Sequence, residues 1–408
     1  MATSTARRVP IAEHRADPGL ANAAAPATGA LNHALQAQPA APDKRLLSLD
    51  VFRGATIAAM LLVNTPGTGK FGYRLLQHAE WDGCHPPDLI FPFFLFIVGV
   101  SINLSLAKQE SAGARRSATI TKIVRRSLII FAIGVLLNAL PYFDWEVTRI
   151  PGVLQRIALC YFVASMLVLL TGVRGQAITA ALLLAGYWVL MKWVPVPGYG
   201  AGVLQPETNL AAYIDRALMS GHLWHRRWDP EGLLSTVPAV STTLAGVLAG
   251  HWLRSPRSHG QRLRGLLVGG GAAIGLGLLM NVWLPINKNL WSGSFVVFTA
   301  GAAFISLGLC YWVVDLKGYR RWATPFVVFG TNAILAYALS TLMTKVLALW
   351  TVTRADGMQV MMKTYLFEVL FLPLAPRRQA SVLYAVAFVL LWLALMSILY
   401  RRRIFIKI

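Results

Sequence analysis

Pro87-Asp-Leu-Ile-Phe-Pro-Phe-Phe-Leu-Phe-Ile-Val-Gly-Val-Ser-Ile-Asn-Leu-Ser-Leu-Ala107 carries one charge, Asp88, at its start and none after it. As a helix rising 1.5 Å per residue it would span roughly 30 Å, the thickness of a bilayer's hydrocarbon core. Comparable apolar runs recur along the chain at about 49–66, 123–142, 152–171, 177–194, 233–252, 265–285, 293–314, 324–347 and 380–400. The 408 residues are 56% hydrophobic and 13% charged. Soluble domains run nearer a quarter charged, with apolar residues in stripes rather than blocks. The expected fold class is therefore all-α: a polytopic membrane protein of about ten transmembrane helices. A stretch near 361–374, bounded by Pro373 and Pro376, is too short to cross and reads as amphipathic.

Charge sets the expected orientation. The 38 Lys and Arg against 17 Asp and Glu give a net +21. These basic residues lie in short segments between apolar runs, as topology determinants do, rather than on a soluble basic face, so no nucleic-acid partner is expected. Numbering alternate sides, one set of segments carries 23 Lys and Arg and the other 11. The richer side should be cytoplasmic, which places the N- and C-termini there. Residues 1–44, rich in Ala and Pro without an apolar core, read as a disordered cytoplasmic tail, leaving 45–408 as one transmembrane domain. Eleven of the 17 acidic residues fall on or beside the outer segments, so the functional polar groups are expected to face out. Cys84, Cys160 and Cys310 are scattered, with neither disulfide nor zinc spacing.

Several polar positions stand out. In Ser48-Leu-Asp50-Val-Phe-Arg53-Gly54 an arginine lies inside the first run, sharing a helix face with Asp50 three residues away. Either Arg53 pairs with Asp50 and snorkels to the inner headgroups, or its guanidinium clamps a phosphate on the cytoplasmic side. The run ends at Asn64. The following loop, Gln77-His78-Ala-Glu80-Trp81-Asp82-Gly83-Cys84-His85-Pro-Pro-Asp88, sets a histidine among carboxylates. A neighbouring carboxylate orients such a ring and raises its basicity, which makes His78 a candidate general base; the plainer reading is an interfacial loop at headgroup depth. His85, ahead of two prolines, reads as a loop residue.

Three further outer segments add polar density: Arg149-Ile-Pro-Gly-Val-Leu-Gln155-Arg156, Trp228-Asp229-Pro-Glu231 and Pro285-Ile-Asn287-Lys288-Asn289-Leu-Trp291. Amides, carboxylates and an aromatic face are what a sugar site uses, although Asp229-Pro230-Glu231 also fits a helix start. His222 and His225, three apart, lack a certain third ligand, and no metal is expected.

These motifs, together with Gly330-Thr-Asn332-Ala-Ile, occur in one order over nearly all of 45–400. In that order the chain resembles the heparan-α-glucosaminide N-acetyltransferase family, in the form of a bacterial member. The resemblance implies an acyltransferase domain over 45–408 that moves acetyl from cytoplasmic acetyl-CoA to the amine of a glucosamine-type sugar on the far side. It implies Asn64 and His78 as the catalytic pair, although their separation is three residues longer here, across Thr65 to Lys70. A counterpart of the lysosomal relative's extra N-terminal lumenal region and first span is not expected.

On this reading Arg53, Asp50, Arg156 and Gln155 contact the cofactor. Glu80, Trp81, Asp82, Asp88, Asp229, Glu231, Asn287, Lys288, Asn289 and Trp291 contact the acceptor. The expected setting is the cell inner membrane, with the lipid bilayer and an amino-sugar or glycan acceptor as partners and, by family analogy, a homodimer. Arg53 and Asn64 lie eleven residues apart, about 16 Å along a helix. Phosphates near Arg53 would let a pantetheine arm reach Asn64. His78 would take the proton from the amine, while the Asn64 amide would donate to the developing oxyanion. Direct transfer is favoured over an acetyl-His78 intermediate because it needs fewer groups. The rivals are an envelope polysaccharide O-acyltransferase and a non-enzymatic sugar or anion transporter.

Overall fold

A computed structural model describes residues 46–68, 72–224, 226–354 and 356–406. The expected tail, 1–44, lies outside the described residues. Each apolar run is helical: α1 (Leu47–Asn64), α2 (Ile90–Ser111), α3 (Arg116–Ala139), α4 (Val153–Leu170) and α5 (Val173–Trp193). A short α6 (Leu210–Met219) precedes α7 (Leu233–Arg254), α8 (His259–Met280) and α9 (Gly293–Cys310), which continues to Leu316 with wider turns. Next come α10 (Thr324–Thr331) and α11 (Ala333–Leu349), bent by 73° at Asn332 into a broken span, and finally, after a β-hairpin, Arg377–Arg401.

Among the described residues eight helices are long and apolar enough to cross a membrane, nine if α10 and α11 are taken together as one bent span. The tenth expected run lies in α3, whose first half carries Arg116, Lys122, Arg125 and Arg126 and so lowers its apolarity. The protein is an all-α polytopic membrane protein. The stretch near 361–374 does not cross. It joins an antiparallel hairpin, β1 (Thr351–Thr353) with β2 (Gln359–Met361), Thr351 opposite Met361, to a short helix, α12 (Met362–Leu366). The last helix, Arg377–Arg401, is α13.

Small residues decide which helices touch. Apolar side chains gain little by leaving lipid for one another, so association rests on close packing and hydrogen bonds. A Cβ on Gly54 of α1 would fall 1.7 Å from the Phe326 carbonyl of α10, and one on Gly330 of α10 would fall 2.1 Å from the Asp50 carbonyl of α1. Gly99 of α2 and Gly246 of α7 form the same reciprocal contact, each against backbone at 1.9 Å. The central helix is α7, with 72% of its apolar window buried, against 11% for α5 and 17% for α8. The outward leucines of those two, Leu182, Leu276 and Leu278, are exposed and suit acyl chains. The core is thus α1, α2, α4, α7 and α9, and the ends of the first four frame the site.

Candidate active site

The segment His85-Pro86-Pro87-Asp88 determines where the acid of the site stands. A residue before proline is driven to extended backbone, and His85 adopts φ −95°, ψ 164°. The two prolines then open a short helical turn, Pro86–Leu89, that runs into α2. Asp88, at the third position of that turn, accepts from the His85 backbone N–H at 2.9 Å, and the same oxygen accepts from Ala79 N–H at 3.0 Å. Its other oxygen, Oδ1, lies 2.7 Å from His78 Nδ1. The Asp88 side chain is 1% exposed and that of His78 44%. A carboxylate is thus fixed behind an imidazole that faces outward. At 2.7 Å a proton must lie between Nδ1 and Oδ1; with the ring neutral, His78 Nδ1–H donates to Asp88 and Nε2 is left as the acceptor.

A second loop completes the group. Asn287, fully buried, accepts from Leu290 N–H at 2.8 Å and donates from Nδ2 to Asp82 Oδ1 at 3.0 Å. Asp82 and Asn287 also pair through their backbones, and Gly83 N–H donates to the Ile286 carbonyl at 2.7 Å. This clamp ties loop 285–292 to loop 77–88 and brings Lys288 Nζ to 3.0 Å from His78 Nδ1 and 3.4 Å from Asp88 Oδ1. Cys84 is beside them, but burial, with the Asp88 charge, pushes its thiol up to about 12, so it is no thiolate nucleophile at neutral pH.

His78 and Lys288 open on a cavity of about 210 Å³. Its wall is mainly apolar, from Ile57 and Met60 of α1, Phe91 and Phe94 of α2 and Ile157 of α4. Asn64, His78, Glu231 and Lys288 reach it, together with the phenol of Tyr337 on α11. An apolar chamber with an imidazole, an amide, a carboxylate and an ammonium converging on it is an arrangement suited to proton transfer and to holding a developing anion.

Residues 45–267 match the family model described as "Heparan-alpha-glucosaminide N-acetyltransferase, catalytic". The chain belongs to that family. Heparan-alpha-glucosaminide N-acetyltransferase of Homo sapiens is 33% identical over 352 residues, covering 72% of this chain and 52% of its own length. The Mus musculus protein of the same name is 32% identical over 349 residues, 72% of this chain and 53% of its own. The chain therefore spans about half the length of the curated relatives it matches. Asn64, His78, Asp88 and Glu231 lie inside the stretch matched by the family model, and Lys288 and Tyr337 lie beyond it.

Other expected site residues take different places. Asp88 is closed behind His78 and offers no oxygen to an acceptor. Asp82 and Asn287 form the loop clamp. Trp81 is half-buried, its indole donating to the Leu204 carbonyl at 3.1 Å and its ring edge-on to Trp228 at 5.4 Å. Trp291, 1% exposed, donates to Thr242 Oγ1 at 3.1 Å and is core rather than sugar platform. Asn289 is partly buried and Glu80 exposed, and neither lines the cavity.

Gln155 and Arg156, expected at the cofactor, are buried off the cavity wall although their neighbours Leu154 and Ile157 line it. Arg156 donates to the Gly232 carbonyl at 3.2 Å and to Ser235 Oγ at 2.5 Å, with its guanidinium 4.9 Å over Trp291. Asp229 is likewise enclosed, receiving Arg149 Nε at 2.8 Å and Nη2 at 2.6 Å, while Glu231 takes the same Nη2 from its position on the cavity wall. Burial works against the Arg149 charge, but Asp229 and Glu231 outweigh it and hold the guanidinium ionised above its ordinary range.

At the opposite end of α1, Arg53 bridges three helices. It donates to Asp50 Oδ1 at 3.1 Å, to Ser101 Oγ at 2.8 Å and to the Gly330 carbonyl at 3.2 Å. His222 Nδ1 lies 2.8 Å from the Thr148 carbonyl; its expected partner His225 lies outside the described residues. Sequence reasoning did not place Arg149 or Tyr337 in the site. Arg149 stands in a motif already quoted, but Tyr337 lies in a plain apolar run and gives no signal.

Proposed function

We propose that this domain is an integral-membrane N-acetyltransferase that moves acetyl from acetyl-CoA to the amine of a glucosamine-type acceptor. The observation that carries the reading is the pairing of His78, backed by the buried Asp88, with Asn64 on one apolar cavity. The reaction is that for which the human and mouse relatives are named. The amine nitrogen attacks the thioester carbonyl carbon, so that a C–N bond forms and the C–S bond breaks. His78 Nε2 takes the proton from the nitrogen and passes it to the departing CoA sulfur. The Asn64 amide donates to the carbonyl oxygen as it becomes an oxyanion, and Glu231 on the cavity wall faces the incoming amine.

Direct transfer suits this set: one base and one oxyanion donor suffice, and Cys84 is not ionised. Arg53, roughly 16 Å from Asn64 along α1, is the group assigned to the CoA phosphates. The cavity is built from segments on the side poorer in Lys and Arg, which supports an extracytoplasmic acceptor side and cytoplasmic termini in a cell inner membrane.

The test is transfer from labelled acetyl-CoA to glucosamine by purified protein beside a folded His78→Ala variant. Product from the wild type and almost none from the variant supports both the reaction and the base. Product from both removes His78 from the mechanism. If acetyl-CoA binds but no product forms, glucosamine is the wrong acceptor. No binding and no product favours a transporter.

A further inference from the structure

The contact between Lys288 and the His78–Asp88 pair goes beyond a base and its orienting acid. Nδ1 of His78 has two polar neighbours, Asp88 Oδ1 at 2.7 Å and Lys288 Nζ at 3.0 Å. It cannot serve both with one proton. If it donates to Asp88, the ammonium cannot donate to it; if it accepts from Lys288, it presents a lone pair to a carboxylate at 2.7 Å. The first arrangement is the attractive one, and Lys288 then acts on the pair through its charge, 3.4 Å from Asp88 Oδ1. A buried carboxylate alone favours the imidazolium, whereas an adjacent ammonium disfavours it. The other titratable groups nearby are Glu231, which faces the same cavity but is paired with Arg149, Tyr337 on the cavity wall, Cys84, which is un-ionised, and His85, whose Nδ1 is turned to the Gln77 carbonyl at 3.0 Å.

We propose that Lys288 is the residue that keeps His78 in its neutral, proton-accepting form by offsetting the charge of Asp88. The orienting hydrogen bond is retained while the charge that would load the ring with a proton beforehand is cancelled. Once His78 has taken the acceptor's proton, the same ammonium repels the imidazolium and favours its passage to the CoA sulfur. Lys288 is delivered to this place by the Asn287–Asp82 clamp rather than by its own contacts with an acceptor. The role rests on the reading of His78 as base.

The test separates the two. In purified full-length protein, the rate at which diethyl pyrocarbonate acylates His78 is followed against pH by mass spectrometry of its peptide, which needs a neutral ring but no turnover. The pH–rate profile for acetyl transfer is measured in parallel. Lys288→Met, or Lys288→Gln should the first not fold, is expected to raise the modification midpoint by about one pH unit. It should move the acid limb of the rate profile the same way, while Lys288→Arg keeps the wild-type midpoint. In an Asp88→Asn background the neutral substitution should again raise the midpoint. A midpoint that is unchanged or lowered on loss of the charge overturns the role of Lys288, whatever the activity. A raised midpoint in a protein that transfers no acetyl leaves that role standing and removes the proposed reaction.

Discussion

Two polar networks share one end of the bundle and differ in what they leave open. In the first, Asp88 is sealed behind His78, and the imidazole it holds is 44% exposed. In the second, Arg149 grips Asp229, whose side chain is fully buried, and Arg156 lies 1% exposed beneath Trp291. Both are built on buried carboxylates, yet the first ends in an exposed imidazole, whereas the second is held mainly inside and reaches the cavity only through Glu231. A buried ion pair in a protein interior fixes geometry more than it adds stability, and removing one partner is what costs. The first network therefore presents chemistry. The second holds α4 against the start of α7 and sets Glu231, its one cavity-facing member, on the wall.

The comparison breaks most sharply at His78. His78→Ala should lower acetyl transfer by about 10²–10⁴-fold, as loss of a general base does, with the thermal unfolding midpoint in detergent close to wild type. A matching loss of stability would mean that the open network is structural as well. Asp229→Ala should do the reverse. It strands the Arg149 guanidinium and should cost about 3–5 kcal/mol of stability, read from denaturant unfolding, with activity falling only because Glu231 is displaced. A variant as stable as wild type would show that the closed network does not hold the bundle.

Asn64→Ala comes next. Loss of an oxyanion donor should reduce turnover by about 10²–10³-fold, or ~2.7–4 kcal/mol, with KM for glucosamine little changed; an effect on KM alone would make Asn64 a binding residue. The smallest effect concerns Asp215, which caps Leu233 N–H at 2.9 Å at the edge of the closed network. Burial, assisted by the Asp229 charge, raises its carboxyl to about 6. A carboxyl raised in the fold favours the native state while protonated, so its contribution is fully present below about pH 4 and is lost as pH rises through about 6. Asp215→Asn keeps the acceptor for Leu233 and removes the charge. It should flatten the decline in unfolding temperature between about pH 4 and 6, and an unaltered slope would assign that decline to other groups.

The membrane fold and the pair at the centre of the candidate site were legible in the chain; the sorting of the remaining polar residues was not. Composition and unbroken apolar runs carry a bilayer signal because every crossing helix must be apolar over the same thickness, and each run is found as a helix. The break at Asn332 was hidden because apolarity says nothing of a bend within a run. Asp50 and Arg53 stood out because charge is costly at membrane depth, His78 because it is a histidine among carboxylates in a loop, and Asn64 through the resemblance to the family.

Burial and pairing separated the other candidates. Asp82, Asp88, Asn287 and Trp291 have the chemistry of a sugar site, and their sequence neighbourhoods look like those of Glu231 and Lys288. Only the packing of α2, α4 and α7 and the docking of loop 285–292 on loop 77–88 decided which of them face the cavity. By itself the sequence determined that the chain crosses the membrane many times and that polar residues gather in a few segments between the apolar runs, because solvent sets those requirements residue by residue; the pairing of His78 with Asn64 came from the resemblance to the family. The tertiary structure alone decided that Asp88 backs His78, that Asn287 brings Lys288 from 210 positions away, and that Arg149 rather than a sugar holds Asp229. Those partners are distant in the chain, and a side chain's exposure is a property of everything folded around it.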